Sequence, residues 1–253
     1  MPSPRPVGWI QELFASFQGE GTYVGRRTVF VRTAGCSLRC RFCDTPRALV
    51  RTEFAEIHGL GGPDRPDWIV REKNPRSVAD VAAVVEQLDP TRRAWVSFTG
   101  GEPLEQVDFL VALAPELQGR PIHLETAGVH AAEMERLRPH VQFVALDLKL
   151  DSVAHEGDRT ADHRAFLAAS RGVERCAKAV IGPSTDVAEL ERLCALVGAE
   201  DPTIPIVLQP ETPRDGGSPT LPRELLERAH AAAARHVADV RVIPQTHKFL
   251  RLP

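Results

Sequence analysis

Apolar positions change spacing along the chain, and the changes mark out its elements. The RTVFVRT stretch at residues 27–33 is rich in β-branched and aromatic residues and predicts a strand. Ser77 then offers an N-cap, with Asp80 three residues on as its capping-box partner. Val78, Val81, Ala82, Val85 and Leu88 follow at helical spacing. From there strand and helix patterns alternate. Strands are predicted at residues 94–98, 121–124, 141–146, 176–181, 204–208 and 240–243. Helices are predicted at 107–117, 131–137, 164–170, 186–197 and 221–236. Residues 1–8 read as a loose arm, 51–76 as an insertion or long loop, and 151–162 as a polar loop.

Alternation of this kind argues for parallel βαβ units. The expected fold class is α/β, a partial TIM-like (β/α) barrel of about six to seven mostly parallel strands. Neither an internal repeat nor a boundary stands out, so one domain over 1–253 is expected, with residues 244–253 as a tail.

Composition narrows the classes. At 43% hydrophobic and 26% charged residues, the chain has material for a sizeable core. A net charge of −3 gives no broad electrostatic reason for nucleic-acid or membrane-surface binding. The chain has no apolar run long enough for a membrane span, and its start lacks a signal-peptide core. The cytosol is therefore the expected compartment. Five cysteines, an odd count, argue against a disulfide scaffold.

Three of those cysteines, Cys36, Cys40 and Cys43, form a C-x3-C-x2-C cluster just after a strand and a glycine. Thiolates this close can hold a soft metal or an iron–sulfur cluster. Three ligands would leave one iron of a 4Fe–4S cube open to a small molecule. A zinc site with a distant fourth ligand is the competing reading. Cys176 and Cys194 stand apart in strand and helix patterns and read as buried hydrophobes.

The spacing, with Phe42 before the third cysteine, resembles that of radical S-adenosylmethionine (SAM) enzymes. A second segment agrees: Thr99-Gly100-Gly101-Glu102-Pro103 follows the 94–98 strand. Glycines there let backbone approach a ligand, and Glu102 can meet an ammonium. A tight strand–helix turn is the alternative. The segment resembles the GGEP motif that contacts the SAM amine in that superfamily.

Four more segments resemble 7-carboxy-7-deazaguanine synthases: Gln18-Gly19-Glu20-Gly21, Asp44-Thr45 after the cysteines, Glu125-Thr126-Ala127-Gly128, and the tail from Gln245 through His247-Lys248 to Pro253. The likeness runs from about residue 12 to the end. It implies conversion of 6-carboxy-5,6,7,8-tetrahydropterin to 7-carboxy-7-deazaguanine with loss of ammonia, on the route to queuosine and other 7-deazapurines. It implies a 4Fe–4S cluster, SAM regenerated at each turnover, and Mg²⁺. It also implies a homodimer and an electron donor such as flavodoxin or ferredoxin. Carried over residue by residue, it makes Phe17, Gln18, Gly19, Arg32, Thr99, His247 and Pro253 substrate contacts. Phe42, Cys43, Asp44 and Gly101 become SAM contacts, and Thr45 the Mg²⁺ ligand.

The residue chemistry is compatible. Gln18 can serve a ring edge, Glu20 can accept from amino-pyrimidine N–H groups, and Arg32 can clamp a carboxylate. Thr45 offers a hard oxygen. Each has a plainer reading: Gln18 and Arg32 as turn or surface residues, Glu20 as a turn cap, Thr45 satisfying local backbone, His247 packing on the barrel. Two departures stand out. The family's Ser-Pro-Lys reads Asp147-Leu148-Lys149, which resembles the Asp-x-Lys of glycyl-radical-enzyme activases and makes these three residues SAM contacts by analogy. Its Glu-Thr-Asn-Gly segment reads Glu-Thr-Ala-Gly. An activase, or a non-catalytic zinc- or cluster-binding module, is therefore the rival reading.

Overall fold

A computed structural model describes residues 6–60, 68–213, 217 and 221–252. The two-residue β1 (Val7–Gly8) leads into β2 (Ile10–Phe17), and β3 (Arg27–Thr33) returns antiparallel beside β2. After the cysteine loop come β4 (Phe54–His58), β5 (Ile69–Lys73) and the short β6 (Arg76–Ser77), which pairs with β1. The alternating region follows. It comprises α1 (Val78–Leu88), β7 (Trp95–Gly100), α2 (Val107–Leu113), β8 (Ile122–Thr126), α3 (Ala131–Leu137) and β9 (Phe143–Leu148). It continues through α4 (Asp151–Ala154), α5 (Thr160–Ala169), β10 (Glu174–Ile181), α6 (Val187–Glu200), β11 (Ile206–Pro210), α7 (Arg223–Ala233) and β12 (Val240–Val242). The short α8 (Thr246–Leu250) lies in the tail.

Ten strands form one sheet in the order β12-β11-β10-β9-β8-β7-β3-β2-β4-β5. β3 and β7 to β12 run parallel and lie side by side in chain order, the arrangement that successive βαβ units give. The α/β partial barrel expected from the pattern is therefore present. The described β5 and β12 remain as separate edges.

The pleat explains the shape. Val96, Phe98, Leu124, Val144 and Leu146 turn outward and are buried with the helices. Their neighbours Ser97, Thr99, His123, Glu125, Ala145, Asp147 and Lys178 point the other way, since successive strand residues face opposite sides. Most of that set, with residues from β2, β3 and β11, encloses one cavity of about 390 Å³. One cavity walled by so many neighbouring strands requires a strongly curled sheet. An aromatic cluster packs against His123, one of the cavity residues. Tyr23 stacks on Phe143 with ring centroids 4.0 Å apart, meets Trp95 edge-on, and carries the Arg26 guanidinium 4.1 Å above its ring.

The long loop expected at 51–76 is in part a hairpin: β4 and β5 pair antiparallel at the sheet edge. Edge strands with one wet face and many charges carry little apolar signal, and FAEIH shows only a brief alternation. Asn74 fastens this segment by accepting from Ile10 N and donating to the Ile10 and Thr52 carbonyls. The polar loop at 151–162 contains α4 and the start of α5. The 107–117 helix ends at Leu113, and a tighter turn containing Pro115 follows.

Candidate active site

The cavity opens at the C-terminal ends of the parallel strands, where barrel sites form. The cysteine loop enters directly from β3. Cys36, Cys40 and Cys43 are free thiols, partly exposed and lining the cavity; Cys176 and Cys194 are buried, as expected. Cys43 N donates to the Cys40 carbonyl, and Arg41 N to that of Ala154, which pins the loop to the end of α4. Burial pushes the Cys36 thiol up to about 12 and raises that of Cys40 as well. Three soft donors on one loop beside an open cavity fit a cluster with one ligand position left free.

The two glycines of the GGEP segment line the cavity and also have a local packing task. Gly100 sits at φ +119°, and a Cβ on Gly101 would lie 2.0 Å from the Gly35 carbonyl oxygen. They let β7 press against the backbone that leads into the cysteine loop. Gly101 still lines the cavity, but Glu102 does not. Its carboxylate is almost fully buried, and burial raises its pKa. It accepts from Leu104 N, Thr126 Oγ1 and Ala127 N. Glu102 thus binds the GGEP turn to the Glu-Thr-Ala-Gly turn, and its expected contact with a ligand ammonium has no room to form. Leu148 likewise turns into the outer core.

Asp147 and Lys149 do reach the cavity. They form a 2.6 Å ion pair, and the Lys149 ammonium lies 5.1 Å from the Phe42 ring centre. Lys149 N donates to His163 Nε2, while Nδ1 of that ring faces the Gly128 carbonyl. Burial holds this histidine down at about 4, so the ring is neutral and keeps one tautomer.

The N-terminal motif and the tail meet across the opening. The Gln18 carboxamide is fully engaged. Nε2 contacts His123 Nδ1 at 3.1 Å and donates to Glu125 Oε1 at 2.8 Å, and Oε1 accepts from Gly19 N and Glu20 N. Glu20 is also taken, by Lys178 and by Gln245 Nε2. Burial pushes its carboxyl up, but the Lys178 ammonium and Gln245 outweigh that and hold it at about 2. Gln18 and Glu20 therefore line the cavity with side chains that already have partners. Gln245 also donates to Asp44 Oδ2, and Lys248 sits 3.4 Å from the same oxygen. Thr246 N donates to the Gly19 carbonyl, and a Cβ on Gly19 would strike the His247 ring. Phe17, Arg32, Thr45, Thr99 and His247 complete the expected set at the cavity wall. Pro253 lies outside the described residues.

Sequence reading missed Lys178, His123, Glu125 and Gln245 as site residues. Lys178 and His123 sit inside apolar strand patterns, where only an in/out assignment of the pleat would single out a buried polar side chain. Oxygen donors dominate one corner. Carboxylate or imidazole atoms of Glu20, Asp44 and His247 lie within 4.8 Å of one another, and Thr45 Oγ1 is 3.1 Å from Asp44 Oδ1. Such a donor set fits a hard cation such as Mg²⁺.

Comparison with known proteins agrees with this geometry. The model of the radical SAM superfamily matches residues 30–197. The chain is 36% identical to the 7-carboxy-7-deazaguanine synthase of Geobacter sulfurreducens over 97% of its own length and 98% of that protein. It is 32% identical to the enzyme of the same name from Methanothermobacter thermautotrophicus, over 96% and 97%. The crystal structure of QueE from Escherichia coli superposes with a TM-score of 0.62 at 24% identity, covering 95% of each chain, which bears on the fold. With its cysteine loop, GGEP turn and closing tail, the chain belongs to the 7-carboxy-7-deazaguanine synthase family of the radical SAM superfamily.

Proposed function

We propose that this protein converts 6-carboxy-5,6,7,8-tetrahydropterin to 7-carboxy-7-deazaguanine with loss of ammonia. One observation carries the reading. The Gln18–Glu20 turn, the Asp44–Thr45 pair and the Gln245–Lys248 tail converge on a single cavity beside three cysteines. Cys36, Cys40 and Cys43 would hold a 4Fe–4S cluster. Such a cluster, with SAM bound beside it, would supply the electron and the 5′-deoxyadenosyl group for radical hydrogen abstraction.

The chain's own residues bind, orient and shield. Phe42, Cys43, Asp44 and Gly101 form the SAM side, with the Asp147–Lys149 pair presenting one carboxylate and one ammonium to its polar groups. Phe17, Gln18, Gly19, Arg32, Thr99, His247 and the terminal Pro253 form the pterin side. Thr45 would hold Mg²⁺, with Asp44 placed to receive a hydrogen bond from one of its waters. The tail adds Gln245, His247 and Lys248 to the cavity wall. The same reading brings an electron donor such as flavodoxin or ferredoxin, a homodimer and a cytoplasmic setting. No helix of the described residues is long and apolar enough to cross a membrane.

The activase reading rested on Asp147-x-Lys149. A cavity lined by the chain's own tail suits a small molecule better than a glycine of a partner protein. Anaerobically reconstituted protein should be brown, with about four irons per chain. Given 6-carboxytetrahydropterin, SAM, Mg²⁺ and a reductant, it should form 7-carboxy-7-deazaguanine. Absence of that product with an intact cluster would overturn the substrate assignment. Colourless, zinc-loaded protein would overturn the radical chemistry.

A further inference from the structure

Glu12, on β2, has a geometry that none of the roles above uses. Its Oε1 lies 2.7 Å from Arg32 Nε on the neighbouring strand. Its Oε2 lies 3.2 Å from Nε2 of His58 on β4. Arg32 does not stop at this pair. It reaches past Glu12 to the cysteine loop, where an η nitrogen donates to Thr45 Oγ1 at 3.2 Å. The Thr45 hydroxyl in turn donates to Asp44 Oδ1 at 3.1 Å.

The inventory of that hydroxyl is decisive. A threonine oxygen carries one proton and two lone pairs. Here the proton goes to Asp44 and one lone pair receives Arg32. The second lone pair is left for the cavity that Thr45 lines. An ordinary cross-strand ion pair would need only Glu12 and Arg32. This arginine is held by an ion pair at Nε, with no hydrogen bond formed there, while its far end donates to a hydroxyl on a loop. Burial pushes the Glu12 carboxyl up, but His58 and Arg32 outweigh it and keep the group below the usual range, so the anchor is an anion.

We propose that Glu12 is a positioning residue: by anchoring Arg32 it aims the free lone pair of Thr45 at a divalent cation. The inference rests on the Mg²⁺ assignment made above. Groups behind metal ligands commonly set metal affinity by 10- to 100-fold.

The test uses holoenzyme carrying cluster and SAM, with Mn²⁺ as an electron-paramagnetic-resonance probe. The signal followed is the Mn²⁺ bound in wild type and lost in Thr45→Ala. Glu12→Gln keeps the size and removes the charge. It should weaken that Mn²⁺ affinity about tenfold or more. SAM affinity and melting temperature should stay near wild type, and Glu12→Asp should restore part of the loss. Because the effect runs through Arg32, Glu12→Gln should add nothing in an Arg32→Met background. Wild-type Mn²⁺ affinity in Glu12→Gln would overturn this inference alone. So would an undiminished effect in the Arg32→Met background, or SAM affinity falling in step with that for Mn²⁺. A wild-type holoenzyme that forms product but binds no Mn²⁺ would overturn the metal assignment and this inference together.

Discussion

Buried charge decides much at the residue scale. Lys178 lies between Glu20 and Asp147, and Asp147 is shared with Lys149. Neither carboxylate would stay ionised in this interior without those ammonium groups. The Glu20 carboxyl drops from an ordinary 4.5 to about 2 in the folded protein. A depressed carboxyl stabilises the fold above its unfolded value and loses that contribution as pH falls toward the folded one. Wild-type melting temperature should therefore fall steeply below about pH 4.5, toward pH 2. Lys178→Met leaves two buried carboxylates short of a partner and should cost about 3–5 kcal/mol at neutral pH. Its acid limb should also be shallower. Calorimetry from pH 2 to 7 checks both, and an unchanged acid limb would remove Lys178 from this account.

Close backbone approach governs the elements. β7 can lie against the base of the cysteine loop only because Gly101 has no Cβ; the nearest carbonyl oxygen would be 2.0 Å from one. Gly101→Ala should cost about 1–3 kcal/mol as an overpacked contact. It should also displace the loop, so that iron loading falls along with the denaturant midpoint. Normal iron content in a destabilised variant would mean that the contact matters for folding but not for the cluster.

This contact shows what a sequence can and cannot announce. The three cysteines and the double glycine were legible because their spacing is rare and their chemistry narrow. The βα alternation was legible because buried parallel strands such as FVALDL are nearly continuous in apolar residues. β4 and β5 were not, because edge strands bury one face at most and their residues are largely charged. The role of Glu102 was misread because an acid after two glycines looks exposed to a ligand. In the fold its oxygens meet Leu104, Thr126 and Ala127, a destination that depends on β8. Gln245 was passed over beside His247 because a tail carries no periodic signal. Only the fold brings it within reach of Glu20, over two hundred residues earlier in the chain.

On the scale of the whole molecule, the superfamily match covers residues 30–197, while the Gln18–Glu20 turn and the tail lie outside it. Two stretches outside the superfamily match thus meet residues inside it, Arg32 and Thr99 among them, at one cavity. Removing residues 244–253 deletes Gln245, His247 and Lys248 and leaves the cysteine loop and Asp147–Lys149 in place. The truncated enzyme should bind its cluster and still cleave SAM, while its KM for the pterin rises about tenfold or more and cleavage becomes uncoupled from product. Measuring 5′-deoxyadenosine against product separates the two. Loss of the cluster would show instead that the tail holds the cysteine loop together.

The aromatic cluster has a consequence for the polar wall beside it. Tyr23 and Phe143 both pack against His123, whose Nδ1 meets the Gln18 carboxamide. Burial holds that imidazole down at about 4, so through the neutral range the ring offers a dipole and no charge. The turn that carries Gln18 is thereby insulated from pH changes that would recharge an ordinary histidine beside it.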